Sequence, residues 1–68
     1  MTHIYIDNIF RAKQARNGGI VRRSLRWINR QGLLPALKRE VRRRGFHMIL
    51  CGGQAVILCN SGALAVIV

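Results

Sequence analysis

Phe46-His47-Met48-Ile49-Leu50-Cys51-Gly52-Gly53-Gln54-Ala55-Val56-Ile57-Leu58-Cys59-Asn60-Ser61-Gly62, continued by Ala63-Leu64-Ala65-Val66-Ile67-Val68, is the stretch whose reading decides the fold. It carries no charged residue unless His47 is protonated. Because it directly follows Arg42-Arg43-Arg44, its length and apolarity suit a membrane tail anchor with basic flanks. Its punctuation suits strands. Gly52-Gly53 is a two-residue hairpin turn, and Asn60-Ser61-Gly62 is a three-residue turn with glycine at the left-handed position. The runs between them are rich in Val and Ile. The reading is therefore three strands, 46–51, 54–59 and 63–68, in an antiparallel meander.

Pairing across both turns puts Phe46, Met48, Leu50, Ala55, Ile57, Cys59, Ala63, Ala65 and Ile67 on one face. His47, Ile49, Cys51, Gln54, Val56, Leu58, Leu64, Val66 and Val68 fall on the other. Both faces are apolar, whereas an antiparallel sheet with a solvated face alternates with polar residues. Helices can cover one face. The other calls for a second subunit, so a homodimer is expected.

Upstream, the composition inverts. The 68-residue chain has 12 Lys and Arg against 2 Asp and Glu, a net charge of +10, and every Lys and Arg lies between Arg11 and Arg44. Half the residues are apolar, which argues against disorder despite the charge. A chain of this size holds one domain, 1–68, with a modest core. The charge implies an anionic partner: DNA or RNA, an acidic protein face, or an anionic membrane.

At about 100° per residue, Val21, Leu25 and Ile28 share one helical face over 20–30, opposite Arg22, Arg23, Arg26 and Arg30. The competing reading makes 20–23 a strand, with Ser24 capping a shorter helix. Gly32 breaks the pattern, and Pro35 suits the first turn of another helix. Over 35–44, with Leu34 just ahead, Leu34, Leu37 and Val41 oppose Lys38, Arg39, Arg42 and Arg43, and Gly45 is placed for a left-handed C-cap. Nearer the N-terminus, 3–6 alternates as a short edge strand would, and Asp7 or Asn8 can cap a helix through Arg16 that Asn17-Gly18-Gly19 ends. The fold class expected is α+β, with basic helices packed on the C-terminal three-stranded meander.

Two helices with an apolar stripe backed by cations can present one continuous cationic surface. Solvated faces normally mix signs, and only Glu40 interrupts the positive series here. Phosphate neutralisation by Arg22, Arg23, Arg26, Arg30, Lys38, Arg39, Arg42 and Arg43 is the expected chemistry, with Trp27 at the border able to stack on an unpaired base. His3, His47, Cys51 and Cys59 could in number bind zinc, but the register sends Cys51 and Cys59 to opposite faces. No metal and no cofactor are expected. Asp7 and Glu40 are the only acidic side chains, and neither a phosphate loop nor a nucleophile elbow is present, so no enzyme is expected. The N-terminus lacks the basic-then-apolar pattern of a signal peptide, so a reducing cytoplasm with two free, buried thiols is expected.

Glu40-Val41-Arg42-Arg43-Arg44-Gly45-Phe46-His47, with Gly53-Gln54, Cys59-Asn60 and Ser61-Gly62, resembles short bacteriophage- and prophage-encoded proteins of unknown function. Ile6-Asp7-Asn8, Arg11-Ala12-Lys13 and Gly18-Gly19-Ile20-Val21-Arg22-Arg23-Ser24 extend the likeness. The resemblance implies a phage accessory protein in a bacterial host cytoplasm and carries no functional residues with it. The leading expectation is thus a non-enzymatic nucleic-acid-binding protein. A phage-encoded inhibitor that docks the same basic face on an acidic or nucleic-acid-binding host protein comes second, and a membrane tail-anchored protein third.

Overall fold

Gly52 and Gly53 adopt φ of 58° and 74°, the pair of positive values a two-residue hairpin turn needs and side-chain-bearing residues resist. On either side run β2 (His47–Cys51) and β3 (Gln54–Leu58), in the register that the turn dictates: Cys51 opposite Gln54, Ile49 opposite Val56, His47 opposite Leu58. The computed structural model describes residues 4–68. Within them the chain is α+β, with helices on one face of a three-stranded antiparallel sheet of order β1-β3-β2.

The remaining strand is not the one expected. Residues 63–68 form no strand; β1 (Ile20–Ser24) pairs with β3 instead, Val21 opposite Ile57 and Arg23 opposite Ala55. A strand in a sheet has only two flanks. With β2 on one side of β3 and β1 on the other, a meander continuing from β3 finds no place. The reading of 20–30 as one helix is corrected with it, in favour of the strand-then-capped-helix alternative. Ser24 Oγ accepts a hydrogen bond from the Trp27 backbone N–H at 3.3 Å, opening α3 (Leu25–Arg30). Both readings turn Val21 and Ile28 inward, so the apolar pattern could not separate them.

The N-terminal edge strand is also replaced. Residues 4–6 belong to α1 (Ile4–Arg11), and His3 lies outside the described residues. Ile6, Ile9 and Phe10 recur at helical spacing and are all buried. A short α2 (Lys13–Arg16) follows and buries Ala15. After α3, a turn leads into α4 (Leu34–Arg43), whose Leu37 and Val41 join Ile28, Leu33, Val21, Ala55, Ile57 and Cys59 in the core. Arg44 caps α4, and Gly45 follows at φ 73°, where glycine was expected. Stretch 46–68 is thus a hairpin and a strandless tail. Among the described residues no helix is long and apolar enough to cross a membrane.

Candidate nucleic-acid interface

The site is built around the connection from α3 to α4. Gly32, at φ 65°, donates its N–H to Asn29 O (3.1 Å), and Leu33 donates to Ile28 O (3.0 Å), the paired bonds that close a helix when a left-handed residue follows its cap. Leu33 is buried and its carbonyl accepts the Leu37 N–H at 2.8 Å, so the residue that ends one helix starts the next. Two helices joined by three residues, Gln31-Gly32-Leu33, with glycine in the turn, have the connectivity of a helix–turn–helix unit.

Leu33, Leu37 and Val41 being fixed in the core, the 3.6-residue period leaves Lys38, Arg39, Arg42 and Arg43 exposed on the other side of α4. These four are not equivalent. Arg43 donates from Nε to Glu40 Oε2 at 3.0 Å and from Nη2 to Oε1, and Arg44 Nε reaches the same Oε1 at 2.9 Å. The Arg43 hydrogen bonds hold the Glu40 carboxyl down, to about 2, with partial burial opposing and Arg44 assisting. The guanidinium of Arg43 is raised in turn by its bonds to Glu40. Among the described residues no carboxylate pairs with Lys38, Arg39 or Arg42. Those three line a shallow recess with Leu34 and Pro35, open to an incoming anion.

Two of the other expected phosphate ligands, Arg22 and Arg23, stand on β1. Arg22 shares the sheet face opposite the helices with Ile49 and Val56, since Arg22 pairs with Val56 and Val56 with Ile49. Arg23 turns back along β1 to donate to the Arg22 carbonyl at 2.8 Å. Neither stands on a helix, which corrects the helical placement of these two: a strand's period of two sends neighbouring arginines to opposite faces. Arg26 and Arg30 are exposed on α3. Arg26 borders a recess with Ser24, Asn29 and the hairpin turn at Gly53, whose carbonyl accepts the Leu25 N–H at 2.9 Å. Trp27 is half-buried, its ring edge-on to Tyr5 with centroids 5.5 Å apart, so packing rather than a free stacking platform occupies it.

A second cationic cluster is one that the sequence pattern did not reveal. Arg11, Lys13 and Arg16 gather with Asn17 where α1 meets α2. Their spacing was visible, but the break at Ala12 that brings them together was not. Arg44 lies 4.4 Å over the Phe10 ring, and Phe10 in turn meets Phe46 at 6.1 Å. Cys59 is buried as expected, and burial pushes its thiol up, but Cys51 is exposed on the opposite face, which corrects the expectation of two buried thiols. Among the described residues no three of His, Cys, Asp and Glu come together as metal ligands. The chain matches no protein-family model, no curated protein and no solved structure.

Proposed function

We propose that the chain is a small non-enzymatic nucleic-acid-binding protein that lays the exposed face of α4 against duplex phosphates. Lys38, Arg39 and Arg42 are the principal phosphate ligands, and Arg26 and Arg30 on α3 are the flanking ones. The observation that carries this reading is the arrangement of α4 itself: three cations with no carboxylate partner among the described residues, on one side of a helix whose opposite side is locked into the core. The helix–turn–helix connectivity supports a duplex over a single strand, because in such units the second helix enters the major groove while the first crosses the backbone. The half-buried Trp27 points the same way. Of the two acidic side chains, Glu40 is committed to Arg43 and Arg44, which supports a binding role rather than acid–base chemistry. The resemblance to short phage and prophage proteins supports an accessory role inside a bacterial cell.

Measuring duplex affinity across a salt series tests the reading. The logarithm of affinity should fall linearly with log salt, at about 0.9 per phosphate neutralised. Replacing Lys38, Arg39 and Arg42 together with Ala should flatten the slope by roughly one unit for each phosphate no longer neutralised, while Arg22→Ala leaves it unchanged. Salt-independent binding, or an equal flattening in the Arg22 variant, defeats the proposal. In a lysate pull-down, retention of a single host protein after nuclease treatment would favour the inhibitor reading instead.

A further inference from the structure

With β3 in the middle, the sheet has two edges that no strand pairs among the described residues, and they are not alike. A two-residue turn is closed by a hydrogen-bonded pair, here Cys51 and Gln54, and alternation along the antiparallel ladder makes Ile49–Val56 and His47–Leu58 hydrogen-bonded pairs as well. Met48 and Leu50 therefore aim their N–H and C=O groups away from β3, along the free edge of β2. By the same alternation Ala55 and Ile57 bond Arg23 and Val21, which leaves Ile20, Arg22 and Ser24 with the outward groups on β1.

The β1 edge is blunted. Arg22 and Arg23 are the kind of charged residue that protects sheet edges, and the outward Arg22 carbonyl is already occupied by the Arg23 guanidinium. The β2 edge has no such protection. His47-Met48-Ile49-Leu50-Cys51 contains no Lys, Arg or Pro and pairs with β3 over five consecutive positions without a bulge. Leu50 is 55% exposed and Ile49 41%. The tail reaches the start of this edge, where Leu64 lines a recess together with His47 and Met48 and the Gly62 carbonyl accepts from His47 Nε2 at 2.6 Å. Past it, Val66, Ile67 and Val68 stand in solvent.

We propose that the free edge of β2 is a self-association surface, on which a second copy of this chain pairs its own β2 antiparallel about a two-fold axis. The two sheets then become one of six strands. Charge selects this occupant and this end. At a net charge of +10, copies approaching through the helices set cations against cations, but 45–68 contains no Lys, Arg, Asp or Glu. An antiparallel edge is also its own complement, as an isologous interface requires. Lys38 and Arg42 line the recess at the start of this edge with Leu64. Their residual repulsion gives the pairing a signature: salt strengthens it, the reverse of salt's effect on phosphate binding.

Sedimentation equilibrium of the full chain at tens of micromolar, in low and high salt, is the test. We expect a dimer that tightens as salt rises. Leu50→Lys should be a monomer with an unchanged circular-dichroism spectrum, and Ile20→Lys, on the opposite edge, should remain a dimer. Amide exchange on the unaltered chain decides the matter should Leu50→Lys fail to fold. The Met48 and Leu50 N–H groups should gain protection as concentration rises, and that of Arg22 should not. A wild-type monomer, a dimer that survives in a folded Leu50→Lys, a dimer lost in Ile20→Lys, or concentration-dependent protection at Arg22 instead of Leu50 overturns the proposal.

Discussion

β1 and α4 each carry a pair of adjacent arginines, Arg22-Arg23 in one and Arg42-Arg43 in the other, and the two elements use them in opposite ways. On β1 the period of two separates the pair across the sheet, one toward the uncovered face and one toward the helix side, where it folds back onto the edge. On α4 the period of 3.6 gathers Lys38, Arg39, Arg42 and Arg43 onto one side. Equal local charge density thus yields a blunted edge in one place and a convergent cationic surface in the other. What gathers a basic run onto one surface is the conformation beneath it.

The comparison breaks most severely if α4 loses its anchor. Leu37 is wholly buried, and Leu37→Ala should cost about 2–5 kcal/mol. A domain of this size holds only about 3–10 kcal/mol in total. Thermal denaturation should show a midpoint lower by at least about 10 °C, or no cooperative transition. An unchanged midpoint would mean that α4 is held by something other than its apolar stripe.

A smaller effect is expected at the junction where β1 becomes α3. Ser24 is exposed, and its hydroxyl serves a single cap bond to Trp27 N–H. Ser24→Ala should cost about 1 kcal/mol by denaturant unfolding, and Ser24→Asp should restore most of it by supplying another capping oxygen. If both variants match the wild type, the cap is not what converts strand to helix at this point.

That junction also shows where the sequence was and was not legible. The hairpin was readable because Gly52-Gly53 fixes a turn type, a register and hence every face assignment from His47 to Leu58. The cationic side of α4 was readable for a similar reason, being bounded by Pro35 and Gly45 and striped by Leu37 and Val41. Segment 20–30 offered no such local constraint. Val21 and Ile28 turn inward whether the backbone is extended or helical, and the choice was made by the vacant flank of β3, a non-local fact. Once β1 took that flank, 63–68 was left without the partner strand that its β-prone composition promised. Helix α4 formed as read because its limits and stripe are local; one helix over 20–30 did not form, because 20–24 became β1.

The smallest and most informative perturbation lies within α4 and sharpens the contrast between its tied and untied arginines. Glu40 is held at about 2, below its ordinary 4.5, so between those values the unfolded chain binds more protons than the folded one. The stabilisation is therefore complete above about pH 4.5 and is lost as pH falls through about 2. With Arg43 largely in solvent it should be modest. Glu40→Gln should remove that part of the acid sensitivity, measured as the change in unfolding midpoint between neutral pH and pH near 3. The same substitution releases Arg43 and Arg44 from their only carboxylate among the described residues. If duplex phosphates compete for the α4 surface, the variant should bind more tightly at low salt and with a steeper salt slope, by about 0.9 for each guanidinium that gains a phosphate. Looser acid response without tighter binding would show that Arg43 and Arg44 stand outside the interface, confining it to Lys38, Arg39 and Arg42. Tighter binding would extend it around the helix toward Phe10, over whose ring Arg44 lies.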